Sequence, residues 1–427
     1  MADGGLLLAD ERLLVSDVPV RRAGDGLGFV QYAGPLAKVI ASGGTDTPFT
    51  IGVFGPWGSG KSSLLSMVDE DLEQNYQGRT IRVHFNPWLH RKEPNMLVSL
   101  LHALNDTLLE QEKERSANSR KHVAHVLGTI TANIVLGKVS GGNVKLDDIK
   151  TASEEYSRVK GEVESEMRKI RSTLQGAADH LAEQNIRLVF FIDDLDRCEP
   201  SEIIDLLESV KLFLDLRNVV VVLAIAKDVI DRGVAVKYRD FGFTAEQVVE
   251  IGNEYLDKLI QLPLYLAAFD ASKIGSFLSG FTIPPSLQPH IGLLQRIVAP
   301  NPRHIKRVLN LAAFTGEVAA ADPARLDFRL DLVIRLIVLR IQSPALYRAA
   351  AERPSLLTDL EAVYQGRLRT NDPTGFVHRH GVELASRAQS DITVFFRSEL
   401  YLGELFAAST FGEAANVLAD YIAVLGG

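Results

Sequence analysis

At 427 residues the chain exceeds what one hydrophobic core usually organises, so a main domain with appended parts is expected. Its 46% hydrophobic and 23% charged residues exclude an extensively disordered chain, and a formal net charge of −8 excludes a surface that is basic throughout, so any polyanion must be met locally. Cys198, the single cysteine, excludes an intramolecular disulfide and a multi-thiolate zinc site; a small buried filler in a reducing compartment is the plain reading.

Taken in chain order, the opening MADGGLLLADERLLVSD has no basic lead into a long apolar stretch and no small-residue cleavage site. No signal peptide is expected, and a cytoplasmic location is. Four short β-branched and apolar runs then read as buried strands: FTIGVF (49–54), TIRVHF (80–85), RLVFFI (187–192) and VVVVLAI (219–225). They lack clean alternation, which is the mark of a parallel sheet covered on both faces. Helical patterns separate them: one after Gly60, one over MLVSLLHALNDTLLEQEKE, a long one ending near Leu181 and one over SEIIDLLESVKLFL. This order implies βαβ units and an α/β layered fold, a parallel sheet covered by helices.

In the long third helical segment Tyr156, Val159, Val163, Met167, Ile170, Leu174 and Leu181 form an apolar stripe expected to cover the sheet, with a coiled-coil partner as the alternative. Residues of about 115–150 before it carry mixed charge and the turn-forming GKVSGGNVK, and read as an insertion. Beyond about 265 helical patterns dominate through LLQRIVAPNPRHIKRVLNLAAF, LDLVIRLIVLRI and a stretch around 385–425. No transmembrane helix is expected: VLGTITANIVL (126–136) is too short, and 274–295 is broken by Pro284, Pro285 and Pro289.

The stretch GPWGSGKSS follows the first strand and opens a helix. Gly55, Pro56, Trp57, Gly58, Ser59, Gly60, Lys61 and Ser62 match the pattern G-x-x-x-x-G-K-[ST], with Ser63 next. Glycines let the backbone curl its N–H groups inward, and the helix adds the positive end of its dipole, so together they cradle a polyphosphate. Lys61 is placed to neutralise β/γ-phosphate charge, and Ser62 to offer a hydroxyl to Mg²⁺.

RLVFFIDDLDRC places Asp193 and Asp194 at the carboxyl end of the third strand, the ligand-binding edge of a parallel sheet. Asp193 is the natural second Mg²⁺ anchor, and Asp194 the group that polarises an attacking water. Asp196 and Arg197 follow at once; positioning of the nucleotide, contact with a neighbouring subunit and a local ion pair all stay open for them.

With DGLGFVQYAGPLAKVI (25–40), FNPW (85–88), NEYLDKLIQLPLYL (253–266) and NPRHIKRVLN (301–310), these motifs make the chain similar to the KAP family of P-loop NTPases, relatives of the STAND and AAA-like ATPases. The resemblance spans about 15–315. It implies a P-loop domain over 1–265 with a helical insertion at about 115–185, a helical lid over 266–345 and a C-terminal helical extension over 346–427. It places Asp25 to Tyr32 near the adenine, and Asn86 beside the phosphate loop to orient water or phosphate. Trp88 goes there too, with core packing as the alternative. Relatives tend to carry an Asp-Arg pair after the fourth strand, whereas this chain has Ala226-Lys227-Asp228. Lys227 is then either a substitute phosphate sensor or a solvated lysine. Arg303 is implied to reach the γ-phosphate from the lid, the alternative being an exposed basic face with His304, Lys306 and Arg307. Many relatives insert paired transmembrane helices where this chain has one short apolar run, which marks a soluble bacterial member.

The function so implied is hydrolysis of ATP with Mg²⁺ by a nucleotide-driven switch, the ATPase component of a bacterial anti-phage defence system. Its partners would be other proteins of that system, with self-association left open. An ATP-binding regulatory scaffold and an ATP-driven nucleic-acid protein are the alternatives, the second disfavoured by the acidic balance.

Overall fold

The computed structural model describes residues 14–90, 96–114, 168, 171–237, 244–266, 271–320, 329–368, 400–408 and 410–425. The insertion expected at 115–150, the stripe residues from Tyr156 to Met167 with Ile170, and the 385–399 stretch lie outside them. The chain forms two compact units, one of residues 19–267 and one of 1–18 together with 268–427.

Among the described residues, the first unit is built on a five-stranded parallel sheet. Phe49–Phe54 (β1), Thr80–Phe85 (β2), Arg187–Ile192 (β3) and Val219–Ile225 (β4) fall at the expected residues, and Leu262–Tyr265 (β5) adds an edge strand. Their order is β2-β3-β4-β1-β5, so β4 lies between the strand that precedes the phosphate loop and the one that carries the aspartates. Side chains of successive strand residues go to opposite faces. Leu188, Phe190 and Ile192 of β3 with Val219, Val221, Leu223 and Ile225 of β4 therefore join one apolar cluster, while Val189, Phe191, Val220, Val222 and Ala224 join the other. Every residue of β4 is buried. At about 1.5–3 kcal/mol for each large side chain removed from water, this central strand anchors the sheet.

Helices Val30–Ala41 (α1) and Lys61–Asn75 (α2) cover the second cluster. Met96–Glu114 (α3), residues 171–183 (α4), Pro200–Leu214 (α5), Lys227–Lys237 (α6) and Ala245–Leu259 (α7) cover the first. Leu174 and Leu181 of α4 point into that cluster, as the stripe requires, and Cys198 is buried in it.

The second unit is helical: Ile274–Ser279 (α8), Ile291–Ile297 (α9), Pro302–Ala320 (α10), Leu330–Gln342 (α11), Pro344–Glu352 (α12), Ser355–Tyr364 (α13), Leu400–Phe406 (α14), Thr410–Glu413 (α15) and Leu418–Val424 (α16). Residues Leu332 to Leu339 of α11 are all buried, so this helix is the unit's core. The N-terminal segment belongs here: Asn310 of α10 accepts from the Val15 amide (2.6 Å) and donates to its carbonyl (2.8 Å), and the Lys306 ammonium donates to the Ser16 carbonyl (3.2 Å).

Glu361 of α13 is fully buried, yet its two oxygens accept from the amides of Phe411 (2.8 Å) and Gly412 (3.0 Å) in α15, with Arg367 alongside (3.3 Å). Removing that carboxylate strands the buried Phe411 N–H and takes an acceptor from the Gly412 amide and a partner from Arg367. Glu361→Ala is expected to destabilise the unit by about 3 kcal/mol, read as a lowered midpoint of chemical denaturation. No helix of the described residues is long and apolar enough to cross a membrane.

Candidate functional site

β1 passes into the phosphate loop where the Gly55 amide donates to the Ile225 carbonyl at the end of β4 (3.2 Å). Two glycines then take left-handed backbone, Gly58 at φ 80° and Gly60 at φ 96°. Gly60 is required on packing grounds as well: a Cβ there would lie 2.6 Å from the Phe29 ring and 3.0 Å from Leu27. Those neighbours come from the 25–32 segment, which Asp25 organises by accepting from the amides of Leu27 (3.0 Å) and Val30 (2.8 Å) at the start of α1. The segment expected on the adenine side therefore lies against the phosphate loop.

Lys61 is only 7% exposed, and its ammonium donates to the carbonyls of Gly55 (3.0 Å) and Pro56 (3.2 Å), so the side chain folds back along its own loop. The Ser59 hydroxyl is buried with no hydrogen-bond partner among the described residues. Ser63 turns to the N-terminal side, its hydroxyl accepting from the Val20 amide (3.2 Å). Trp57 is 58% exposed.

The Ser62 hydroxyl lies beside the Asp193 carboxylate and favours its charged form, so the start of α2 and the tip of β3 meet here. Burial raises the Asp193 pKa; the bonds from Ser62 and from the Asp194 amide (2.8 Å) oppose that, while the charges of Asp194 and Asp196 reinforce it. A carboxylate whose charged form is disfavoured by burial beside a hydroxyl is a hard-oxygen pair that a divalent cation would satisfy. The donor set thus fits Mg²⁺.

Asp194 sits in left-handed backbone, at φ 59°. Its carboxylate accepts from the Asn86 amide group (2.7 Å), and the Arg197 guanidinium forms an ion pair with its other oxygen (2.9 Å). Asn86 follows β2, so the residue expected at that strand's tip is in contact with the second aspartate. Trp88 is 43% exposed, which sets aside its core-packing alternative.

Lys227 begins α6 directly after β4, and its ammonium pairs with Asp231 one turn on (3.2 Å). The second oxygen of Asp231 is buried with no hydrogen-bond partner among the described residues. The i,i+4 spacing of Lys227 and Asp231 was visible in the sequence and is the signal that would have found this partner.

Arg303 lies in the helical unit, at the start of α10, where it pairs with Asp17. Lys306 is buried and Arg307 exposed, so these residues do not form one exposed basic face. Burial lowers the pKa of both His304 and Lys306; the Arg307 and Arg303 charges lower His304 further, while Asp17 opposes the effect on Lys306.

A search of solved structures finds the Aeropyrum pernix ORC1 protein in complex with DNA at a TM-score of 0.38 and 14% identity, over 94% of this chain and 87% of that one, a likeness too loose to bear on fold or function. The chain is 24% identical over 379 residues to the Phage T7 exclusion protein of Escherichia coli strain K12, covering 78% of this chain and 46% of that protein, so it spans about half of that relative. It is 28% identical over 165 residues to the uncharacterized protein MJ0182 of Methanocaldococcus jannaschii, covering 32% of this chain and 85% of that one. The model of the KAP family P-loop domain matches residues 29–318, most of the chain, with the phosphate loop, both aspartates and the start of α10 inside the match. The chain therefore belongs to the KAP family of P-loop NTPases, whose fold is one that binds nucleotide.

Proposed function

We propose that the protein hydrolyses ATP with Mg²⁺ and uses the nucleotide as a switch. The observation that carries this reading is the placement of the Ser62 hydroxyl, at the start of α2, beside the buried Asp193 carboxylate at the end of β3. In this reading the amides of Gly58 to Ser62 and the Lys61 ammonium hold the β- and γ-phosphates, and Ser62 with Asp193 holds the metal. Bound there, Mg²⁺ supplies charge neutralisation at the phosphate oxygens. Asp194, turned by its left-handed backbone and held by Asn86, orients the attacking water in line. Catalysis comes from placement and charge stabilisation.

Lys227 senses phosphate by leaving Asp231, and Arg303 couples nucleotide state to the helical unit by leaving Asp17. Those roles go with the proposed division into a P-loop domain over 1–265, although its residues 1–18 group with the helical unit, a lid over 266–345 and an extension over 346–427. The likeness to a protein named for excluding phage T7 supports a place in bacterial anti-phage defence, in the cytoplasm, beside other proteins of the same system.

The second reading, a scaffold that holds ATP with little turnover, is favoured by the Ala226-Lys227-Asp228 sequence and by the engagement of Lys227 with Asp231. Steady-state phosphate release from ATP, with Mg²⁺ and with a chelator, separates the two. Turnover at about 1 per second or slower, lost without Mg²⁺, is expected of a switch; ATP binding without any Mg²⁺-dependent release selects the scaffold.

A further inference from the structure

Asp194 is gripped from two directions. On one side Asn86, at the tip of β2, donates its amide N–H to one carboxylate oxygen at 2.7 Å. The Asn86 carbonyl oxygen in turn accepts from the Trp88 amide at 3.1 Å, which settles which end of the side chain faces the aspartate. On the other side the short helical turn Leu195–Arg197 brings the chain back on itself: the Arg197 amide donates to the Asp194 carbonyl (3.1 Å) and the Cys198 amide to the Leu195 carbonyl (3.2 Å). Leu195 and Cys198 are buried, so the turn is seated in the core. From it the Arg197 guanidinium reaches the other Asp194 oxygen at 2.9 Å.

We infer that Arg197 is a positioning residue of the hydrolytic site, holding the Asp194 carboxylate at a fixed angle between itself and Asn86. This rests on the ATPase reading above. An ionised carboxylate has about four lone-pair sites, two on each oxygen. Asn86 occupies one site on one oxygen and the Arg197 charge lies against the other, so the carboxylate is held from both sides and the sites left for water keep a fixed direction. The Arg197 side chain is 48% exposed, and ion pairs so open to solvent contribute little to stability. What the pair provides is therefore orientation, at a residue already held in sparsely populated backbone. Arginine suits this task because its planar group is fixed in direction where an ammonium rotates.

The test compares kcat and KM for ATP, together with affinity for a fluorescent ATP analogue, in the full chain and in the variants Arg197→Ala, Arg197→Lys, Asn86→Ala and the Arg197→Ala/Asn86→Ala double variant. Removing Arg197 is expected to lower kcat about 10–100-fold, as loss of a supporting partner does at other sites. Analogue affinity and melting temperature should stay near wild type, Arg197→Lys should recover part of the loss, and the double variant should lose less than the product of the single losses. A kcat for Arg197→Ala at or above wild type overturns the inference, as does a parallel loss of affinity and kcat that Arg197→Lys does not repair. If Asp194→Asn loses turnover while Arg197→Ala keeps it, the positioning role alone fails. If wild type itself shows no Mg²⁺-dependent turnover, the ATPase reading fails and this inference with it.

Discussion

Lys61→Ala is expected to abolish measurable ATP binding. The ammonium is buried and holds the carbonyls of Gly55 and Pro56, so it supports the loop from within as well as offering charge to phosphate. Alanine leaves both carbonyls without that donor and removes a charge-assisted contact, each worth on the order of 1.5–3 kcal/mol. Two such losses correspond to an affinity at least ~100-fold weaker. Isothermal titration with ATP and Mg²⁺ measures it, and an affinity within about 3-fold of wild type, less than 1 kcal/mol, removes Lys61 from the site. The rest of the fold should stand, because α2 keeps its apolar contacts to α1 and the sheet through Leu64, Leu65, Met67, Val68 and Leu72.

Asp194→Asn is expected to separate binding from turnover. Asparagine tolerates the left-handed backbone of this position nearly as well as aspartate, so the turn after β3 keeps its shape. The phosphate loop and the Ser62–Asp193 pair are untouched. What is lost is the negative charge that polarises water, and with it about 10²–10⁴-fold in turnover. Phosphate release measured beside ATP affinity reads both effects: near wild-type affinity with residual release is the expected pair of results, and undiminished release removes Asp194 from its catalytic role.

Much of the fold was open to reading because burial on both faces leaves a distinct trace. A run such as VVVVLAI has no polar register to hide, and it became β4 over the same seven residues. β5 left no such trace: in Leu262–Tyr265 alternate side chains are only partly covered, and Pro263 argues against a strand. The glycine pattern placed the phosphate loop, and the strand-end acids placed Asp193. Chain order, however, says nothing of sheet order. That β4 separates β1 from β3 follows from three-dimensional pairing, and so does the meeting of Asn86 with Asp194 across 108 residues. The Arg303–Asp17 pair joins residues 286 apart and was equally hidden.

The outer strand has a consequence for how the molecule behaves among its copies. An open parallel sheet ends in unpaired peptide groups that invite another chain to add on. Here one margin is a four-residue strand interrupted by a proline, too short and too broken to template a foreign ribbon. The other margin, β2, carries Arg82 and His84, both tied to Asp69. Among the described residues, charge at one border and brevity at the other keep the sheet from adding a further chain through its edges.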